Sequence, residues 1–226
     1  AGFAGGIGFG TIFLKKGYSL QRTYALSKLE SAMMPAIQVG LLVLVVTAPA
    51  FIFFSQKGPG AMHAPWLISL AAGLVVGGLS QVSRLCTVGG FRDLFLFKKS
   101  ILIFGYLAVL IGVFVVNISF GNFHLGFENQ PIAHTDGLWN FLGMALAGFC
   151  SVLLGGCPLR QLIMTGEGNS DSAVTVLGLA AGAAFAHNFG LAASGAGPTL
   201  NGQIAVGVGF AVALIIAILN TKRANA

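Results

Sequence analysis

The segment WNFLGMALAGFCSVLLGGCPLRQL, residues 139–162, decides the architecture. Residues 138–155 form an apolar run of the length, roughly 18 to 25 residues, that crosses the hydrocarbon core of a bilayer as a helix. Gly155 and Gly156 break that run, and Pro158 suits the first position of a new short helix. Cys157 is thereby predicted to cap the short helix. A helix N-terminus presents unpaired N–H groups and a partial positive charge, which receive anions. A thiolate would repel an anion, so a role in passing anions requires a protonated thiol in apolar surroundings. The alternative is that Gly155-Gly156-Cys157-Pro158 only turns the chain between two helices.

Similar runs lie at 36–54, 65–83, 100–120, 173–192 and 203–220, so the fold class expected is an all-α integral membrane protein of roughly six spanning helices plus short re-entrant helices. Composition agrees. The 226 residues are 56% hydrophobic and only 8% charged, with mean hydropathy +0.88, against about 25% charged residues in soluble domains. A soluble enzyme is excluded. The 33 glycines suit helices packed closely in lipid. The net charge of +6 resides in short basic groups beside apolar runs, without the stripe or aromatic-basic motif of a nucleic-acid binder. Cys86, Cys150 and Cys157 are odd in number and lack metal-ligand spacing, so neither a disulfide framework nor a metal site is expected. No nucleotide-binding P-loop and no cofactor motif appears.

The opening run Ala1–Leu14 is too short to span alone and reads as the end of a longer helix or a segment dipping partway in. The chain begins without Met and without a cleavable signal, which suggests the C-terminal part of a longer transporter. Lys15, Lys16, Arg22 and Lys28 precede the first span, Lys98 and Lys99 follow the second, Arg160 follows the fourth, and Lys222 and Arg223 follow the sixth. The opposite loops hold only Lys57. Basic residues concentrate on the cytoplasmic side, so both ends are expected in the cytoplasm, with re-entrant segments returning to the side they left.

Two stretches share a plan. Trp66 begins a helix ending in Ser83-Arg84-Leu85-Cys86, and Trp139 begins one ending in Gly155-Gly156-Cys157-Pro158, with the two cysteines 71 residues apart. A third, decayed copy is aligned at Gly5-Gly6-Ile7-Gly8, leading to Ser19. The repeat units expected are about 1–64, 65–137 and 138–220 of a single membrane domain. Repeats with broken helices are how transporter folds build a central site.

Other candidates divide between chemistry and structure. Cys86 repeats the cysteine at a helix break, with Arg84 beside it. Arginine at membrane depth is costly and faces a cavity or a partner. Arg84 and Arg92 are thus either anion attractors or, for Arg84, an interfacial orientation signal and, for Arg92, a partner of Asp93 or Asp171. Cys150, flanked by Phe149 and Ser151, reads as a packing residue. The polar cluster Thr165–Ser172 is either a loop in which Asp171 or Ser172 caps the next helix, or a gate with Glu167 as its titrating group. His187 and Asn188 either donate to an anion and relay a proton or form an interhelical bond at the outer interface. His63, His124 and His134 fall in polar loops.

At Gly155-Gly156-Cys157-Pro158-Leu159-Arg160-Gln161-Leu162, Gly166-Glu167-Gly168-Asn169 and Ala186-His187-Asn188-Phe189-Gly190-Leu191 the chain resembles the YeeE/YedE membrane family, also called the sulphur-transport family, and within it the YedE branch of selenium transporters. The resemblance runs from about Gly73 to Phe210. It implies uptake across a bacterial inner membrane of a small sulphur- or selenium-containing anion, such as thiosulphate, through a pathway lined by cysteine thiols on short, membrane-dipping helices. Cys86 and Cys157 match those cysteines, with Arg84, Arg160, Gln161, Glu167, His187 and Asn188 as further substrate-binding candidates. The family's first-repeat cysteine finds only Ser19 here. The expected partners are the anion, the bilayer and a cytoplasmic sulphur or selenium carrier protein. Two other classes stay open: a membrane sulphur or selenium carrier or enzyme using Cys157 as nucleophile, and an accessory subunit.

Overall fold

The computed structural model describes residues 1–20, 27–49, 64–128, 130 and 134–223. Among them the chain is helical: α1 (Gly2–Lys15), α2 (Lys28–Thr47), α3 (Trp66–Ser83), α4 (Thr87–Phe97), α5 (Ile101–Ser119), α6 (Gly137–Leu153), α7 (Pro158–Gly166), α8 (Ser170–Asn188) and α9 (Leu200–Arg223). Among the described residues four stretches are long and apolar enough to cross a membrane: Trp66–Phe97, Ile101–Ser119, Gly137–Gly166 and Leu200–Thr221. The other two expected spans are helical but fall short. The run expected at 36–54 begins earlier, and α2 ends at Thr47, whose hydroxyl donates back to the Val43 carbonyl at 2.8 Å; residues 50–54 lie outside the described residues. The run expected at 173–192 is α8, whose ends carry Asp171, His187 and Asn188 and lower its apolarity.

Two of the four long stretches are broken. Trp66–Phe97 divides into α3 and α4 around Arg84, Leu85 and Cys86, and Gly137–Gly166 divides into α6 and α7 around Leu154–Cys157. After α6, Gly155 takes φ +82, a left-handed conformation at ease only in glycine. The Gly156 N–H then donates to the Ser151 carbonyl and the Gly155 N–H to the Val152 carbonyl, both at 3.1 Å. These two bonds are the Schellman closure of a helix C-terminus. After α3 the left-handed position is held by Arg84, φ 51, although it carries a Cβ.

By its contacts the chain divides into two compact units. One comprises residues 1–22, 85–161 and 175–226. In it α1 packs along α6 and also meets α4 and α9, while α4 packs on α5 and α6 on α9. The α1–α6 contact is unusually close. A Cβ on Gly6 would collide with the Ala145 carbonyl, one on Gly2 with the Phe141 carbonyl, and one on Gly148 with the Phe3 carbonyl; one on Gly10 would come within 2.8 Å of Val152 Cβ. Glycines at intervals of four let helix backbones touch, which is how helices associate where lipid removes the hydrophobic drive. Ile7, fully buried, is set between these glycines. A second cluster of Tyr18, Phe149, Leu153, Ala213 and Ala217, with Cys150 packed against it, joins α6 to α9. The Tyr18 hydroxyl donates to the Leu153 carbonyl at 3.2 Å.

The other unit comprises residues 23–84 and 162–174 and holds α2 and α3. At its 162–174 segment, Gly168 takes φ +87 and closes α7, with its own N–H on Thr165 and that of Asn169 on Met164. Asn169 then caps α8, its Oδ1 accepting from the Ser172 N–H at 2.9 Å. This corrects the sequence expectation that Asp171 or Ser172 is the cap. Asparagine is among the strongest N-caps, and its use starts the helix at Ser170.

Candidate functional site

The two cysteines at the helix breaks meet. Cys86 is the N-cap of α4, in extended conformation with φ −150, and its sulfur accepts the Gly89 N–H at 3.2 Å. Cys157 directly precedes α7, whose first residue is Pro158, and its carbonyl accepts the Gln161 N–H at 3.0 Å. The thiols lie within hydrogen-bonding reach of one another. Around the Cys157 sulfur stand the N–H groups of Arg160 in its own helix and of Thr87 and Val88 in the first turn of α4; the Cys86 sulfur has the N–H groups of Gly89 and Cys157. Two helix N-termini therefore converge on one pair of free thiols.

The pair is sealed. Cys86 is 8% and Cys157 4% exposed, in a cluster with Ile7, Val88 and Val152 and with Phe3, Leu14 and Phe91 packed against it. Apolar walls of this kind disfavour an uncompensated charge. The converging N–H groups favour a negative one. An S–H group is a poor donor and a polarisable partner, so the chemistry available to such a pair is weak contact with a soft group. Glycine permits the geometry at Gly89, where a Cβ would lie 3.5 Å from the Cys86 sulfur and 3.2 Å from Leu102.

The other sequence candidates take other places. Arg160 contributes its backbone N–H to the Cys157 sulfur and is half-buried on α7. Gln161 is buried, and its Nε2 donates to the Leu154 carbonyl at 3.0 Å, bracing the break between α6 and α7. Arg84 is exposed at the left-handed end of α3. Glu167 is exposed in the turn after α7. His187 and Asn188 are exposed at the end of α8, where the Asn188 amide donates to the Ala184 carbonyl of its own helix at 2.7 Å. Arg92 is paired with its neighbour Asp93 at 2.8 Å. Ser19 is exposed, unlike the two cysteines. Among the described residues no group of three His, Cys, Asp or Glu side chains is placed to hold a metal ion.

Sequence reasoning marked the opening run as the end of a helix or a dipping segment and missed its part in the site. Ile7 closes the thiol cluster, and Gly2, Gly6 and Gly10 bring it there. The signal was present as three glycines spaced by four, which face Phe141, Ala145 and Val152 on a helix more than a hundred residues away.

The sulphur-transport family profile matches residues 82–222, a stretch containing both cysteines and more than half of the chain. The chain belongs to the sulphur-transport family. The thiosulfate transporter TsuA of Escherichia coli (strain K12) is 30% identical over 111 residues, covering 47% of this chain and 30% of that protein. The chain thus matches less than a third of the length of that relative. No solved structure matches this member of the sulphur-transport family.

Proposed function

We propose that this chain carries a small sulphur-containing anion of the thiosulphate class across the membrane, passing it over the Cys86–Cys157 pair. The convergence of two helix N-termini on two buried thiols carries the reading. The backbone N–H groups offset part of the cost of stripping water from the anion, and the thiols supply soft, weak contacts from which it can leave. Arg160, and Arg84 two residues before Cys86, raise the local anion concentration. Membership of a transport family and the 30% identity to a thiosulfate transporter support this substrate class. Selenium anions fit the same soft contacts and are included in the proposal.

The same reading sets the chain in a bacterial inner membrane with both ends cytoplasmic. The grouping of Lys and Arg beside alternate apolar runs supports it. Counting α2 and α8 as crossings gives six, with the two helix-break-helix stretches as units of an internal repeat. Uptake of labelled thiosulphate and labelled selenite by cells expressing the chain, beside cells expressing Cys157→Ala, tests the proposal. Cysteine-dependent uptake of either label is expected. Equal uptake by a membrane-inserted Cys157→Ala chain overturns it.

A further inference from the structure

We propose that Cys86 and Cys157 form a dithiol redox site, which closes to a disulfide by exchange with small anions of the tetrathionate class and thereby shuts the pathway. Such anions contain an S–S bond between sulfonated ends. The inference rests on the transport reading for how the anion reaches the pair. Both cysteines are free, belong to one buried cluster and come from two separate helix breaks.

A disulfide requires two side chains that converge at close range. Here each sulfur lies within hydrogen-bonding reach of the other. The Cys157 sulfur also meets the backbone N–H groups of Thr87 and Val88, the two residues after Cys86, and the Cys86 sulfur meets the N–H of Cys157. Each side chain therefore lies against the other residue's backbone, and bond formation needs a short approach of the two sulfurs. Cys150 supplies an internal contrast. It packs against the other cluster, which contains Phe149 and Leu153.

Exchange begins with a thiolate attacking a disulfide sulfur. Three N–H groups face the Cys157 sulfur and two face the Cys86 sulfur, so Cys157 is assigned the attack and Cys86 the resolution. Cys157 gives its proton to water and displaces thiosulphate from tetrathionate, leaving an S–S–SO3⁻ group on its side chain. The Cys86 thiol then loses its proton and attacks the Cys157 sulfur, and the second thiosulphate leaves. Two thiols are oxidised to one disulfide, and one tetrathionate is reduced to two thiosulphates. An external dithiol reverses the closure and becomes a disulfide itself. In the closed form both S–H groups are gone, and the cap of α4 is tied to the residue before α7. At 8% and 4% exposure the pair is closed to bulky disulfides, whereas an anion of the transported class has a route to it.

The full chain in detergent is treated with tetrathionate, freed of excess and digested without reductant for peptide mass analysis. A linked Cys86–Cys157 peptide is expected in the parent and in Cys150→Ala, with far less of it after equal exposure to oxidised glutathione. Cys86→Ala is expected to retain the S–S–SO3⁻ adduct on Cys157, and Cys157→Ala to leave Cys86 largely unmodified. In proteoliposomes, oxidation is expected to lower thiosulphate uptake to the level of Cys157→Ala, and dithiothreitol to restore it. No linked peptide from the folded parent, equal linkage by oxidised glutathione, or full uptake by a linked chain overturns the proposal. The linkage is read without transport. Linkage in a chain with no uptake in either redox state defeats the transport reading and leaves the dithiol site standing, whereas cysteine-dependent uptake without linkage defeats the dithiol site alone.

Discussion

Placing one methyl group on Gly6 tests how the thiol pair is closed. The Cβ of Gly6→Ala falls on the backbone carbonyl of Ala145, so α1 must move away from α6; no side-chain rotation relieves the clash. Overpacking of this kind costs about 1 to 3 kcal/mol, with a rigid backbone obstacle at the upper end. Alanine returns up to about 1 kcal/mol of helix propensity, leaving a net loss of about 2 kcal/mol. If that loss appears as opening of α1, access to the thiols rises roughly thirtyfold. Gly5→Ala is the control, because its Cβ meets only the Phe141 ring, at 3.5 Å. The assay is the alkylation rate of Cys86 and Cys157 by a maleimide in purified protein, followed by peptide mass analysis. Gly6→Ala is expected to label far faster than the parent and Gly5→Ala no faster. Equal rates in both variants refute the claim that α1 seals the pair through this glycine contact.

Three further outcomes follow from individual bonds. Cys86→Ser keeps the cap on the Gly89 N–H whereas Cys86→Ala removes it, so thermal unfolding is expected to show Ala about 1 kcal/mol below Ser, while uptake falls in both. Gln161→Leu strips the Leu154 carbonyl of its donor; Leu154 is exposed, so water replaces the donor and a cost of about 1 kcal/mol, the net value of one hydrogen bond, is expected in a denaturation series. Arg92→Ala breaks only a partly exposed pair with Asp93; a change within about 1 kcal/mol and unaltered uptake are expected, and a large uptake defect would restore Arg92 as an anion attractor.

The parts of this molecule legible in its sequence are those written locally. The run broken at Gly155-Gly156-Cys157-Pro158 states its own end, because glycine suits the positive φ of a helix stop and proline the first position of a restart, whereas the run from Trp66 to Ser83 stops on Arg84 at φ 51 with neither signal. Cys157 was therefore placed before its helix by four residues of sequence. That it touches Cys86 is a tertiary fact, set by how α1, α4 and α6 pack, and nothing within either motif states it. The same holds for Ile7. Its neighbours Gly6 and Gly10 announce a close helix contact but not which helix is contacted. Asn169 was overlooked for a competitive reason: Asp171 and Ser172 are also capable caps, and only the turn closed by Gly168 decides among them. His187 and Asn188 stood out as polar residues in an apolar run, yet lie exposed where α8 ends.

Flux through the thiol pair is the central claim, and purified protein tests it most directly. Proteoliposomes containing the chain, or equal amounts of Cys86→Ala or Cys157→Ala, are assayed for uptake of labelled thiosulphate. The account expects saturable uptake by the parent, competed by unlabelled thiosulphate, and loss of most of it in each variant. Undiminished uptake by both variants would contradict it.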